Sequence, residues 1–357
     1  MRLLTIALFA FSATFFVANP AALAANSDPW VVYEGSKGPG WGKHIVLLAG
    51  DEEYRSEECL PQLGKILSRH HGFKCTVLFS IDDKGEIDPK NQKNTPGTEA
   101  LDSADLMIIL ARFRAPTDEQ MKHIDSFLKA GKPVLGLRTA THSFSGLKGT
   151  YEMYNYNYKG SQPAWSQGFG RLVLGETWIS HHGNHKSEST RGIFAPEGKE
   201  SPLLTGIKDG EIWGATDVYG VRLPLPGDSK PIVLGQVSKR ALEATKEQIA
   251  KDKNYMLSPK DTPLEGKKNE PMMPIVWTKS YQLPEGKPGR SITTTMGSAT
   301  DIENEAFRRL LVNSVYDLLG IKTPEKVEVG IVGEYTPSAF GFGGNKVGVK
   351  PADLNMK

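Results

Sequence analysis

The chain has 357 residues, of which 24% are charged, and 43 Lys and Arg stand against 41 Asp and Glu for a formal net charge of +2. A balance this even offers no concentrated basic surface of the kind that nucleic-acid phosphates select, so nucleic-acid binding is excluded as a primary role. The length suits one large α/β domain or two smaller ones.

In chain order, the first segment, MRLLTIALFAFSATFFVANPAALAAN, carries Arg2, an apolar run and then Ala22-Leu23-Ala24. This is the layout of a secretory signal peptide cut after Ala24. Asn19-Pro20 interrupts the run before it reaches the ~20 residues of a spanning helix, so stable membrane insertion is not expected. No Cys follows the cut, which argues against a lipoprotein anchor. Loss of residues 1–24 removes Arg2 and no acid, and the protein is expected in the periplasm or outside the cell. Residues 25–42 then form an N-terminal extension.

His44 to Ala49 is a short apolar run ending at Gly50, the pattern of a buried strand. Leu60, Leu63, Ile66 and Leu67 recur at helical spacing between Ser56 and His70, with Gly72 just past the end. Phe73–Phe79 predicts a second strand, a polar connection runs to about Asp102, and Ala104–Leu110 predicts a third. Thr117 caps a helix through Ala130, and Pro133–Arg138 predicts a fourth strand. Strand, helix, strand, strand, helix, strand is the signature of a doubly wound, mostly parallel sheet.

The second half is less regular. Strands are expected near Thr177–Ser180, Arg191–Phe194, Pro231–Val237, Pro274–Lys279 and Arg290–Thr295, then a helix from Glu303 to Leu319. Residues 241–270 read as a solvated helix and loop, and the tail from Pro337 as an extended surface segment. Cys59 and Cys75 are separated by the first helix, roughly 15 Å at its rise per residue, which is beyond disulfide reach. Two buried thiols are expected.

Open α/β sheets bind ligands beyond the carboxyl ends of their strands. Those ends are unusually polar here: Asp51-Glu52-Glu53-Tyr54-Arg55 after the first strand, Arg112-Phe113-Arg114 after the third, and Arg138-Thr139-Ala140-Thr141-His142-Ser143 after the fourth. Arg112, Arg114 and Arg138 could grip a carboxylate or sugar hydroxyls, or could pair with the acids as a structural network.

"HIVLLAGDEEYRSEE", "VLGLRTATHSF", "FGRLVLGETWISHH", "IWGATDVYGVRLPLPGDSKPIVLGQV", "GKKNEPMMPIVWTKSY" and "ITTTMGSATDIENEAFRRLLVNSVYDLLG" together resemble ThuA-like (trehalose-utilisation) proteins, in particular their exported branch. The resemblance spans residues 43–333 and leaves 334–357 as the tail. It implies a flavodoxin-like, class I glutamine amidotransferase-like three-layer sandwich with a mostly parallel central sheet, and a role in sugar metabolism. Amidotransferases place a nucleophilic Cys in a Gly-x-Cys turn, whereas this chain has Gly136-Leu137-Arg138. Arginine cannot lose its proton to become a nucleophile, so Cys-dependent hydrolysis is excluded. Many ThuA-like sequences carry His at the positions of Arg138 and near Ser298, and this chain has neither. The family's Asp-x-Tyr matches Asp217-Val218-Tyr219, and the His after its "lGetw" stretch matches His181 or His182.

The segment His181-His182-Gly183-Asn184-His185 holds three of the eight histidines. Gly183-Asn184 is a turn signal that breaks a helical His181/His185 pair. In an extended chain His181 and His182 point to opposite faces, so one enters the cleft. No HExxH and no Cys pair accompany them, so no metal centre is assigned, although a weakly held divalent metal is left open. His142, beyond the end of a central strand, is the leading acid/base candidate, on the expectation of a near-neutral pKa. Asp217 would orient it or act as a second acid/base group, and one of His181 and His182 would share the acid/base work. Glu52, Tyr54, Arg55, Thr141, Trp178 and Tyr219 complete the expected binding surface, with Tyr54 and Trp178 as stacking faces for a sugar.

Two functions follow. One is an exported enzyme performing isomerase- or hydrolase-type acid/base chemistry on a modified saccharide. The other is a noncatalytic carbohydrate- or partner-binding module on the same rim. A homo-oligomer is compatible with either.

Overall fold

The computed structural model describes residues 28–239 and 257–356. The expected signal peptide, and the first part of the charged 241–270 stretch, lie outside the described residues. Among those described, no helix is long and apolar enough to cross a membrane.

One sheet of 11 strands organises the chain. They are β1 (Trp30–Tyr33), β2 (His44–Gly50), β3 (Lys74–Phe79), β4 (Leu106–Ala111), β5 (Val134–Leu137), β6 (Glu188–Phe194), β7 (Trp213–Gly214), β8 (Lys230–Lys239), β9 (Thr262–Pro263), β10 (Met273–Tyr281) and β11 (Gly289–Thr294). The strands lie in the order β1-β3-β2-β4-β5-β11-β10-β8-β6-β7, with β9 paired to β8. Only β3, β2, β4, β5 and β11 are mutually parallel. The mostly parallel sheet expected from the sequence is thus half of the structure. The strands of the second half are antiparallel to their neighbours, as is the unanticipated edge strand β1. The apolar runs that looked like buried strands are buried: β4 is covered along its whole length and β2 beyond His44.

Three α-helices are present among the described residues: α1 (Ser56–His71), α2 (Asp118–Lys129) and α3 (Glu305–Leu318). α1 ends where Gly72, at φ 80°, donates its N–H to Leu67 and Ser68 carbonyls, a left-handed closure that a Cβ would strain. α2 begins with a capping box between Thr117 and Gln120. α3 is shorter than expected because Asp301–Glu303 form a separate 3-10 turn and Asn304 supplies the cap, its Oδ1 accepting from Phe307 N at 2.8 Å.

α1 and α3 bury Leu60, Leu63, Ile66, Phe307, Leu311 and Val315 in one core cluster, and α2 buries Met121, Ile124 and Phe127 in another. Cys59 and Cys75 are free and buried, as expected. Thr177–Ser180 is not a strand. It is irregular, held by Thr177 Oγ1 donating to the Thr141 and Tyr156 carbonyls and by Gly220 N donating to Ser180 O, next to an isolated bridge between His181 and Tyr219.

In chain order the parallel strands stand second, first, third, fourth, fifth, so the direction of winding reverses between β2 and β4. Such a reversal opens a crevice beyond the carboxyl ends of the two strands. The loops after β2 and β4 flank it. The tail does not merely cover surface: it returns along α1, where Ser338 bonds the Glu58 carboxylate, Gly341 N donates to Glu53 O, and Arg55 reaches Gly341 O at 2.6 Å.

Candidate functional site

The loop after β2 is shaped by Asp51. Its buried carboxylate accepts from the backbone N–H groups of Glu53 and Tyr54 and from the Thr139 hydroxyl, which locks the β2 and β5 loops together. Burial raises its carboxyl to about 6, although Thr139 and those N–H groups oppose the rise. Glu52 pairs with Arg112 and Arg114, and Glu53 turns toward the crevice.

At the end of β5, Arg138 adopts φ 43°, an uncommon left-handed conformation for a residue with a long side chain. That turn drives its guanidinium inward. Nη1 donates to the carbonyls of Asp217 at 2.6 Å and Thr295 at 2.8 Å. Nη2 donates to Tyr54 Oη at 3.1 Å and Asp217 Oδ1 at 2.9 Å. The Tyr54 and Tyr219 rings lie 4.5 and 3.7 Å from its central carbon. Arg138 and Asp217 are both fully buried.

Asp217 is the hub. Besides Arg138, its Oδ2 accepts from His181 Nδ1 at 2.7 Å and its Oδ1 from His185 Nδ1 at 3.1 Å. Burial alone would push this carboxyl up. The Arg138 charge and the two histidine hydrogen bonds outweigh burial and hold it well below the usual carboxylate range. His185 Nε2 also lies 3.2 Å from Glu53 Oε1. Burial lowers the His185 pKa, but the hydrogen bonds and charges of Asp217 and Glu53 carry it above the ordinary imidazole value.

The turn His181-His182-Gly183-Asn184-His185 makes this possible. Gly183 packs so closely on Asp217 that a Cβ there would meet Asp217 Cβ at 3.0 Å. The turn brings His181 and His185 side by side, ring centres 4.9 Å apart, and sends His182 outward to Lys268 O at 2.8 Å. Of the two alternatives, His181 therefore faces the crevice and His182 does not.

A cavity of about 280 Å³ lies in front of these groups, lined by Glu53, Arg112, Phe113, His142, Trp178, His181, His185, Lys186, Tyr219 and Phe342. Of the residues expected from sequence, His142, His181, Arg112, Trp178 and Tyr219 line it. Asp217 stands behind it as the orienting acid, but for His181 and His185, not for His142. The remaining expected residues do other work. Arg138 is sealed beneath the cavity and holds Asp217, so it is no substrate clamp. Arg114 is buried and spends its donors on Glu52 and on the Pro89, Asn91 and Arg112 carbonyls. Arg55 is spent on the Glu52 and Gly341 carbonyls. Tyr54 is fully buried against Arg138 and so is no stacking face, and Thr141 is buried against His142 Nδ1 at 3.2 Å.

His142 also needs correction. Its ring packs 5.1 Å from Phe113 and 5.4 Å from Trp178, and burial, reinforced by the charges of Arg112 and Arg138, holds its pKa well below the ordinary value. It is a neutral wall of the cavity, not an acid/base group poised near neutrality. Sequence reasoning missed His185, Glu53 and Phe342. His185 had the visible signal of sitting in the same turn as His181, but its convergence depends on Asp217, 32 residues away.

His181, His185 and Asp217 offer ligand atoms all within 4.8 Å of one another, the grouping in the described residues that could take a metal ion. The spacing fits hydrogen bonding better. Two tetrahedral ligands of one zinc ion stand ~3.3 Å apart, whereas His181 and Asp217 meet at 2.7 Å, and Asp217 already accepts from the Arg138 cation.

No family model matches the chain, and no curated protein matches it. Among solved structures, a protein described as ThuA-like from Bacteroides uniformis ATCC 8492 is similar, at 17% identity and a TM-score of 0.42 over 79% of this chain and 93% of its own. A second, described in the same way, from Parabacteroides merdae ATCC 43184, is similar at 14% identity and a TM-score of 0.42 over 84% and 97%.

Proposed function

We propose that the chain is an exported ThuA-like protein on a flavodoxin-like three-layer framework, and that it carries out acid/base chemistry on an oxidised or otherwise modified sugar. The observation that carries this reading is the His181–Asp217 pair at the wall of the cavity. An ionised carboxylate can only accept, so His181 donates from Nδ1, and its Nε2 lone pair is left for a proton on the ligand. This is the arrangement of an oriented general base.

The other residues supply what such a step needs. His185 has one nitrogen on Asp217 and the other 3.2 Å from Glu53, surroundings that raise its pKa and favour its cationic form. With Arg112 it favours negative charge developing on a carbonyl or leaving-group oxygen. Trp178 and Phe342 offer apolar faces for the C–H side of a sugar ring. Arg138 and the tyrosines around it keep Asp217 ionised and fixed.

The test is incubation with keto-sugars and their glycosides in D2O, followed by NMR. Isomerase-type chemistry appears as deuterium exchange at the carbon beside the carbonyl, and hydrolysis as release of a free sugar. His181→Ala should slow either by ~10²–10⁴-fold, the usual worth of a positioned base. Saturable binding without exchange or release would establish the noncatalytic module instead.

A further inference from the structure

A second cavity, of about 300 Å³, lies between the first turns of α1 and the returning tail, and shares no lining residue with the His181 cavity. Glu57 and Gln62 line it from α1. They are 8% and 3% exposed, and among the described residues neither Glu57 carboxyl oxygen nor Gln62 Nε2 has a hydrogen-bond partner on another residue. Buried polar atoms are nearly always paired, so three orphans at one cavity need an explanation. Neighbouring groups are already engaged: Glu58 holds Ser338 and Lys346, and Asp353 accepts from the Lys350 N–H.

The chemistry of the orphans selects the ligand. Glu57, Glu58, Glu334 and Asp353 outnumber Lys65 and Lys346 around the space, which disfavours an anion. An organic cation would answer Glu57 but leave the Gln62 amide N–H unpaired. A hydroxyl both donates and accepts, so a molecule with several hydroxyls answers both. Pro61, Ile87 and Tyr335 add apolar surface for its C–H groups.

We propose that this cavity is a second binding site, which takes a small neutral polyhydroxylated molecule with one hydroxyl on Glu57 and another accepting from Gln62. Glu57 and Gln62 both contribute to the wall of that cavity. Burial raises the Glu57 carboxyl to about 8, with its own backbone N–H and Arg55 opposing and Glu58 and Asp51 reinforcing, so at neutral pH it is an acid that can donate as well as accept. That suits a neutral ligand. The site stands whether or not His181 turns over a substrate.

Calorimetry and saturation-transfer NMR on the full chain, with glucose and sorbitol as probes and methylammonium and inorganic phosphate as rivals, test the proposal. Saturable glucose or sorbitol binding should weaken at least tenfold in Glu57→Leu and in Gln62→Leu, and stay within twofold in Lys122→Ala, an exposed position on α2 that lines neither cavity. A soaked crystal should show the ligand between α1 and the tail. Binding of methylammonium or phosphate alone, no saturable polyol binding, or polyol binding indifferent to both α1 substitutions would overturn it. If Glu57→Leu does not fold, Gln62→Leu decides alone.

Discussion

Replacing Arg138 by Met keeps a long side chain but removes the guanidinium from beneath the cavity. The Asp217 carboxylate, fully buried, then loses its permanently charged partner, and the Asp217 and Thr295 carbonyls each lose a donor. Breaking a buried pair in this way costs about 3–5 kcal/mol. With a melting entropy near 0.7 kcal/mol/K for a chain of this length, the melting temperature should fall by about 4–7 °C. Arg112→Met, at a partly exposed pair, removes under ~1 kcal/mol and should shift it by about 1 °C. The double variant Arg138→Met/Asp217→Asn should recover part of the loss, because the stranded charge is gone. Scanning calorimetry of the four proteins measures all of this. An Arg138→Met protein melting within 1 °C of the wild type would show that Asp217 does not depend on Arg138, and the description of the hub would be wrong.

Other outcomes follow from the same geometry. In an NMR titration His185 should gain its proton above the ordinary imidazole pKa and His142 should stay neutral far below it, while His71, which burial holds at about 4, should be neutral at pH 5; a protonated His142 at pH 6 would contradict the cavity described here. The raised His185 pKa adds stability that is full below the unfolded value of about 6.5 and is lost as pH rises through the folded value, and Asp217→Asn should flatten that loss. Glu57 has the opposite origin: its folded pKa of about 8 exceeds its ordinary 4.5, so the folded state keeps a proton that the unfolded chain has released, and stability falls as pH rises across that window. Glu57→Gln should therefore gain on the wild type in melting temperature from pH 5 to pH 8, and parallel curves would refute this. Extensive dialysis against EDTA should leave turnover within twofold, and a loss restored by one divalent metal would favour coordination by His181, His185 and Asp217. Phe342 is 64% exposed, so Phe342→Ala should change stability by less than about 0.5 kcal/mol yet weaken ligand affinity roughly 2–10-fold through lost stacking.

What the sequence revealed was what local periodicity encodes. The spacing of Leu60, Leu63, Ile66 and Leu67 located α1 to within a residue, and the apolar runs located β2 through β5. Thr177–Ser180 failed because it is an irregular segment held by side-chain and loop hydrogen bonds instead of a strand partner, and β1 escaped because Trp30–Tyr33 is too short to signal without β3 beside it. At the candidate site, the order of polar loops pointed to the rim where the cavity lies, with Arg112, Trp178, His181 and Tyr219 lining it and Asp217 bonded to His181. The errors share a cause. Residue type says that Arg138 and Arg114 are charged, but not that a left-handed turn or a ring of carbonyls swallows the charge. It says that His142 is an imidazole, but not that Phe113 and Trp178 keep it dry. Long-range convergence decides those roles, and the Gly183 turn that pairs His185 with His181 is legible only once Asp217 lies against it.

The tail ties distant parts of the chain to one hollow. Phe342 lines a pocket whose other walls come from loops more than a hundred residues earlier, and Phe340 stacks on Tyr54 beneath it. The 11 strands all precede that segment, so a cut before Phe340 leaves every strand in place and takes away one wall of the pocket.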